Sequence, residues 1–274
     1  MKDRIMQKAS RSQLKLIRQL LREKTMRDKT GLFVAEGLKI VSDIVAKSFE
    51  IDHLIASNDF LKSKKGDRVV AALEQKKVPV CSASAIDFEK ISSLRAPEGV
   101  LAAVKKNASP EPIEKAEEKP LLVLCDTIQD PGNLGTIIRT SVAFGASGIL
   151  LAGETADIYN PKVVRASAGA ILDIPVYDCP VLELDRLKET GYVLMAGQAV
   201  GGSRAKGLEG MKGLKTPIII AFGSEGQGIS EVVAKKADGF FFIPMTGEVE
   251  SLNVTAAAAI TIYELTRGAD FFDL

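Results

Sequence analysis

From Leu121 onward the chain carries five apolar runs, LLVLCD, GILLAG, YVLMAG, PIIIAFG and FFFIP, separated by segments with helical spacing. A strand with one face in water alternates apolar and polar residues. These runs do not alternate, so both of their faces must be covered. Helices placed between strands give that cover when the strands run parallel, because each parallel pair needs a crossover long enough to hold a helix. The pattern predicts an α/β domain with a doubly wound parallel sheet over residues 121–274. In such sheets ligands bind beyond the carboxyl ends of the strands.

Residues 1–106 show a weaker version of the same alternation. Strand-like HLIA, VPVC and GVLAAV follow or precede helix-like GLKIVSDIVAKS, DRVVAALEQKK and AIDFEKISSL, which predicts a small α/β domain. Ahead of them, Ser10-Arg11-Ser12-Gln13 has the form of a capping box, and Leu14, Ile17, Leu20 and Leu21 fall on one helical face. Residues 107–120, NASPEPIEKAEEKP, hold three prolines and almost nothing apolar, as expected of an exposed linker.

Charge is unevenly distributed. Residues 1–30 contain ten Lys or Arg against three Asp or Glu, while the whole chain has a net charge of only +1. A basic arm on an otherwise mildly acidic protein suits binding to a phosphate backbone, and it equally suits a solvated helix face. The opening MKDRIMQKASRSQ lacks the apolar core of a signal peptide, and no stretch is apolar enough to span a membrane, so a cytoplasmic protein is expected. Cys81, Cys125 and Cys179 form no CxxC pair, which argues against a zinc site or a disulfide framework and for buried thiols. No metal is expected. The one histidine, His53, lies in the amino-terminal region, where a structural or surface role is expected.

Three strand ends are rich in polar residues and glycine. The first, DTIQDPGNLGTIIRTSVAFGAS, offers Asn133 as a helix cap and Arg139 further along that helix. The second, FGSEGQGIS, places Glu225 among Gly223, Gly226 and Gly228, where the backbone can approach a ligand closely. The third, IPMTGEVESLNVTAAAAITIYEL, delivers Ser251 and Asn253 to the start of an Ala-rich helix. Taken singly, each has an ordinary reading as a cap, a surface ion or a turn. Three such loops at one end of one sheet read as a site. A nicotinamide-type GxGxxG is absent after the first strand.

The strings DPGNLGTIIRTSVAFGA, IIIAFGSEGQGIS and IPMTGEVESLNVTAAAAI resemble, in order, the three motifs of the SpoU/TrmH branch of the SPOUT RNA methyltransferases. The resemblance covers Leu121 to about Arg267, and TGLFVAEGLKIVSDI is similar to the substrate-binding domain that precedes the catalytic domain in many members. It implies a deep trefoil knot, which the ordinary rule against knotted chains would not predict. It implies S-adenosylmethionine as cofactor, held by Gly223, Ile243, Met245, Leu252, Gln198 and Ala199. It implies Arg139 at the reaction centre, with Asn133, Ser251 and Asn253 bonding ribose or cofactor and Glu225 orienting Arg139 or the loop amides. It further implies transfer to a ribose 2′-hydroxyl, a homodimer formed through the C-terminal domain, and RNA as partner. No cysteine lies in the three motifs, whereas methylation of a base carbon generally needs a thiolate. The separate amino-terminal domain points to ribosomal RNA by analogy; transfer RNA and a non-catalytic RNA-binding assembly factor are the competing readings.

Overall fold

The structure is a computed structural model that describes residues 6–107, 110–114, 121–199, 205–211, 217–247 and 249–267. Residues 1–5 of the basic arm, 108–109 and 115–120 of the proposed linker, and 268–274 of the C-terminal domain lie outside the described residues. The chain divides into two compact units, one comprising Met1–Asn107 with Tyr159–Arg165 and the other Ala108–Ile158 with Ala166–Leu274.

The first unit runs β1 (Gln7–Lys8), α1 (Arg11–Arg22), α2 (Lys24–Thr30), β2 (Leu32–Glu36), α3 (Leu38–Ala46), β3 (Ile51–Ser57), α4 (Asn58–Leu61), α5 (Lys64–Gln75), β4 (Val80–Ala83), α6 (Ala85–Ile91) and β5 (Val100–Lys105). Its sheet has the order β1-β4-β3-β5-β2, with β5 antiparallel to both neighbours. The capping box predicted at Ser10 is present: its side chain accepts from Gln13 N while Gln13 Oε1 accepts from Ser10 N. Ser57, Ser63 and Ser84 cap α4, α5 and α6, each side chain accepting from the backbone N–H three residues on and contributing about 1 kcal/mol. Ile17 and Leu20 of α1 are buried against Leu32, Val34, Ile55, Phe88 and Leu101, so the basic arm is anchored in the core by its apolar stripe. Lys15, Arg18 and Arg22 stay exposed. Arg27 does not: it is buried and donates to Leu20 O at 2.6 Å, holding the end of α1. His53 is buried, with Nδ1 2.6 Å from Asp52 Oδ2.

Strand β2 was not among the strand-like runs, because LFVAE ends in a charged residue. Glu36 is nonetheless 7% exposed, and Ser92 Oγ, Ser93 N and Ser93 Oγ all donate to its carboxylate. Tyr159–Arg165 joins this unit although it lies within the region expected to be catalytic. Tyr159 packs on Phe33 with ring centroids 4.8 Å apart, and its hydroxyl accepts from Asn107 N.

The second unit contains β6 (Leu121–Asp126), α7 (Pro131–Ala143), β7 (Gly148–Ala152), β8 (Val176–Asp178), α9 (Val181–Glu189), β9 (Val193–Gln198), β10 (Ala205–Gly207), β11 (Ile218–Phe222), α10 (Glu231–Lys236), β12 (Gly239–Phe242) and α11 (Val254–Thr266); helix α8 (Pro161–Ala166) lies in the segment shared with the first unit. The sheet order is β10-β12-β9-β11-β6-β7-β8, and every pairing in it is parallel. All residues of β6 and β11 are buried, as their unbroken apolar runs require. The edge strands β8 and β10, three residues each and partly exposed, escape the apolar-run criterion. Helix α11 packs on α7, burying Val254, Ala258, Thr261 and Ile262, and Tyr263 meets Phe144 at 5.4 Å between ring centroids.

The segment expected to be an exposed linker is tied down where it is described. Ile113 is 5% exposed in the core of this unit, and Arg186 Nη1 donates to its carbonyl at 3.1 Å. One isoleucine among charges was too slight a signal to read as core. Among the described residues no helix is long and apolar enough to cross a membrane, and no cluster of metal-ligating side chains occurs.

Candidate active site at the strand ends

The three polar loops converge. Pro131 takes the first position of α7, which suits its fixed φ and missing N–H, and Asp130 before it is the cap, accepting from Asn133 N at 2.8 Å. Asn133 is therefore not the cap that its sequence position suggested. Its amide is freed to donate to Glu225 Oε1 at 3.1 Å. Asn253 caps α11 by accepting from Thr255 N at 2.9 Å, and its own amide donates to the same Glu225 oxygen. One carboxylate oxygen thus joins the loops after β6, β11 and β12.

The loop after β11 is closed on itself by reciprocal backbone bonds between Ser224 and Gly228, with Gly228 at φ +68°. A Cβ on Gly223 would lie 2.0 Å from Gly228 O and 2.3 Å from Ile229 N, so this position admits glycine alone. The far end of the loop is fixed by Asp126, the last residue of β6. It is 1% exposed and accepts from Ser230 N at 2.7 Å. Ser230 caps α10, so a buried carboxylate fixes where the glycine loop ends and the helix begins.

Between these loops lies a cleft of about 400 Å³. All six residues expected to hold a cofactor line it: Gly223, Ile243, Met245, Leu252, Gln198 and Ala199. Glu225 and Ser251 also reach it, while Asn133 and Asn253 stand behind Glu225 as its donors. Arg139 is outside. It lies six residues past Asn133, about 120° around the helix, and is exposed with no hydrogen bond or ion pair among the described residues. Of the two partners expected for Glu225, Arg139 or the loop amides, its carboxylate accepts from the side-chain amides of the loop residues Asn133 and Asn253.

Sequence reasoning missed Phe222, Phe241, Glu250, Val254 and Ala257 in the lining, and Asp126 behind it. Phe222 ends one apolar run and Phe241 lies inside another, and both read as strand only. Asp126 closes LLVLCD, a position at a strand end that could have drawn attention. Cys125 beside it is fully buried, and burial pushes its thiol up to about 12, so no thiolate is available there.

A parallel α/β sheet whose strand-end loops meet over a glycine-lined cleft defines a ligand-binding enzyme fold. Residues 120–263, more than half of the chain, match the SpoU rRNA Methylase family, and residues 11–102 match the MRM3-like substrate binding domain. The chain belongs to the SpoU rRNA methylase family. It is similar to the 23S rRNA (guanosine(2553)-2′-O)-methyltransferase RlmP of Bacillus subtilis, with 28% identity over 247 residues, 89% of this chain and 92% of that protein. An uncharacterized tRNA/rRNA methyltransferase of Synechocystis sp., slr0955, is 37% identical over 167 residues, 58% of this chain, and the match spans only 42% of that relative's length. Among solved structures, an AdoMet-bound rRNA methyltransferase from Sinorhizobium meliloti superposes with a TM-score of 0.81 at 28% identity, covering 96% of this chain and 97% of that one.

Proposed function

We propose that the protein transfers a methyl group from S-adenosylmethionine to a ribose 2′-hydroxyl of ribosomal RNA. The observation that carries this reading is the Glu225 bridge, which ties the loop after β6 to the loops after β11 and β12 that line the cleft. The residues present fit the cofactor. Gly223 lets the lining loop close tightly on Gly228 and Ile229, Ile243, Met245 and Leu252 give apolar walls for an adenine, and Gln198 and Ala199 offer backbone and amide groups at the end of β9. When bound, the cofactor supplies a methyl group on a cationic sulfur.

The protein's part is alignment and electrostatic help. Arg139, unpaired and exposed outside the cleft, would clamp a phosphate and polarise the neighbouring hydroxyl of a bound RNA; being protonated at neutral pH, it is a poor base. Ser251, exposed at the cleft, bonds the ribose, and Asn133 keeps Oδ1 for the same purpose. Asn253, with amide and oxygen both engaged, holds the loop. Relatives named as rRNA methyltransferases and the match of residues 11–102 to a substrate-binding domain support RNA as the substrate. The exposed Lys15, Arg18 and Arg22 of α1 would meet its phosphates. Exposed Ile260 and Tyr263 on α11 support a homodimer through this helix. The return of the chain from β12 past the end of β11 to α11, packed on α7, suits the trefoil knot of the family. A cytoplasmic location follows from the substrate.

Labelled methyl transfer to ribosomal and transfer RNA, followed by alkaline hydrolysis, tests the reading. Alkali-resistant label in ribosomal RNA is expected. Label in transfer RNA alone moves the substrate, label lost to alkali removes the ribose assignment, and cofactor binding without transfer to either makes the protein a non-catalytic factor.

A further inference from the structure

The cleft is lined mostly by apolar and backbone groups, yet it carries a charge pattern. Among the described residues that line it the ionisable side chains are Glu225 and Glu250, with no Lys, Arg or His. The donors on Glu225 Oε1 are the amides of Asn133 and Asn253, which are neutral, so the negative charge of that carboxylate is uncompensated. Glu250 precedes Ser251 in the segment between β12 and α11, is exposed at the cleft, and makes no hydrogen bond or ion pair among the described residues. Nothing in the fold uses it.

We propose that Glu250 is a specificity-determining residue through which the cleft reads the charge of the methyl donor, holding the sulfonium form and releasing the thioether left after transfer. The inference rests on the cofactor assignment above. In the transfer, the C–S bond breaks with its electron pair staying on sulfur, the O2′–C bond forms, and the hydroxyl proton passes to water. The donor thereby loses one methyl and one positive charge, and every other group on it is unchanged. Shape discriminates weakly between ligands that differ by a single methyl. Coulomb attraction to a cleft carboxylate separates them cleanly in kind, because it acts on the sulfonium and has no counterpart on a neutral sulfur. The exposure of Glu250 limits the size of the effect and makes it sensitive to salt. Glu225 adds a background attraction of the same sign, but it also ties the loops together, so Glu250 is the residue at which charge can be separated from architecture.

Titration calorimetry on the full-length protein with S-adenosylmethionine and with S-adenosylhomocysteine provides the test. Glu250→Gln should weaken binding of the sulfonium about threefold to fivefold and leave the thioether within error, which also serves as the control for folding. High salt should reproduce that loss in the wild-type protein and have a smaller effect in the variant, where only the Glu225 background remains to be screened. Glu250→Lys should reverse the preference towards the thioether. Equal weakening of both ligands, or no change in either, overturns the proposal. A wild-type protein that binds neither ligand overturns the cofactor assignment itself.

Discussion

The two units use polar side chains at the ends of their elements in opposite ways. In the first, Ser10, Ser57, Ser63 and Ser84 turn back onto the helix each one begins, three residues away. Its buried carboxylate, Glu36, crosses 56 residues to Ser92 and 57 to Ser93, and it ends in a closed cluster. In the second, Glu225 reaches 92 residues to Asn133 and 28 to Asn253, and the result opens onto a cleft. Polar groups that answer their own neighbours stabilise a scaffold. Long-range polar contacts close a buried cluster in the first unit and border an open cleft in the second.

If this division is right, substitutions in the two units should separate turnover and ligand affinity from stability. The largest effect is expected at Arg139, which supports no part of the fold. Arg139→Ala should lower kcat about 100-fold to 1000-fold while the cofactor Kd measured by calorimetry stays unchanged; loss of both would make the residue structural. Next comes Gly223→Val, whose side chain would collide with the backbone of Gly228 and Ile229. Cofactor affinity should fall beyond detection, and circular dichroism should still report a folded first unit.

Glu36→Ala tests the other side of the division. It removes the acceptor for three donors in a buried cluster, and a loss of about 2–3 kcal/mol is expected in denaturant unfolding. Cofactor affinity should not move. Replacing Lys15, Arg18 and Arg22 together by Gln should weaken RNA binding and flatten its salt slope by roughly 2, since these side chains are exposed while the same helix is anchored by Ile17 and Leu20. An unchanged slope would remove α1 from the RNA-binding surface. The smallest effect belongs to Ser84→Ala, a lost cap costing about 1 kcal/mol with turnover intact.

The same division explains what could be read from the sequence. Strands β6, β7 and β11 were legible because burial on both faces leaves unbroken apolar runs, the less completely buried β9 and β12 because they carry apolar runs too, and the Ser10 capping box because its partners are three residues apart. All six lining residues carried over from the motif resemblance fall on the cleft. What stayed hidden depends on three-dimensional neighbours. Asn133 looked like a cap until Asp130 and Pro131 took that role. For Glu225 the sequence leaves Arg139 and the loop amides both open as partners, since nothing local reveals that two asparagines arrive there. Glu36 and Ile113, a charged residue at a strand end and an apolar one among charges, became core through contacts that periodicity cannot register.

The Glu225 bridge also sets a schedule for synthesis. Its partners lie 92 residues before it and 28 after it, so a chain still growing on the ribosome cannot complete the junction until α11 has started to emerge. Contacts of such long sequence separation form slowly. Ligand uptake should therefore appear late and abruptly in a series of stalled nascent chains, well after the serine-capped amino-terminal helices have taken shape.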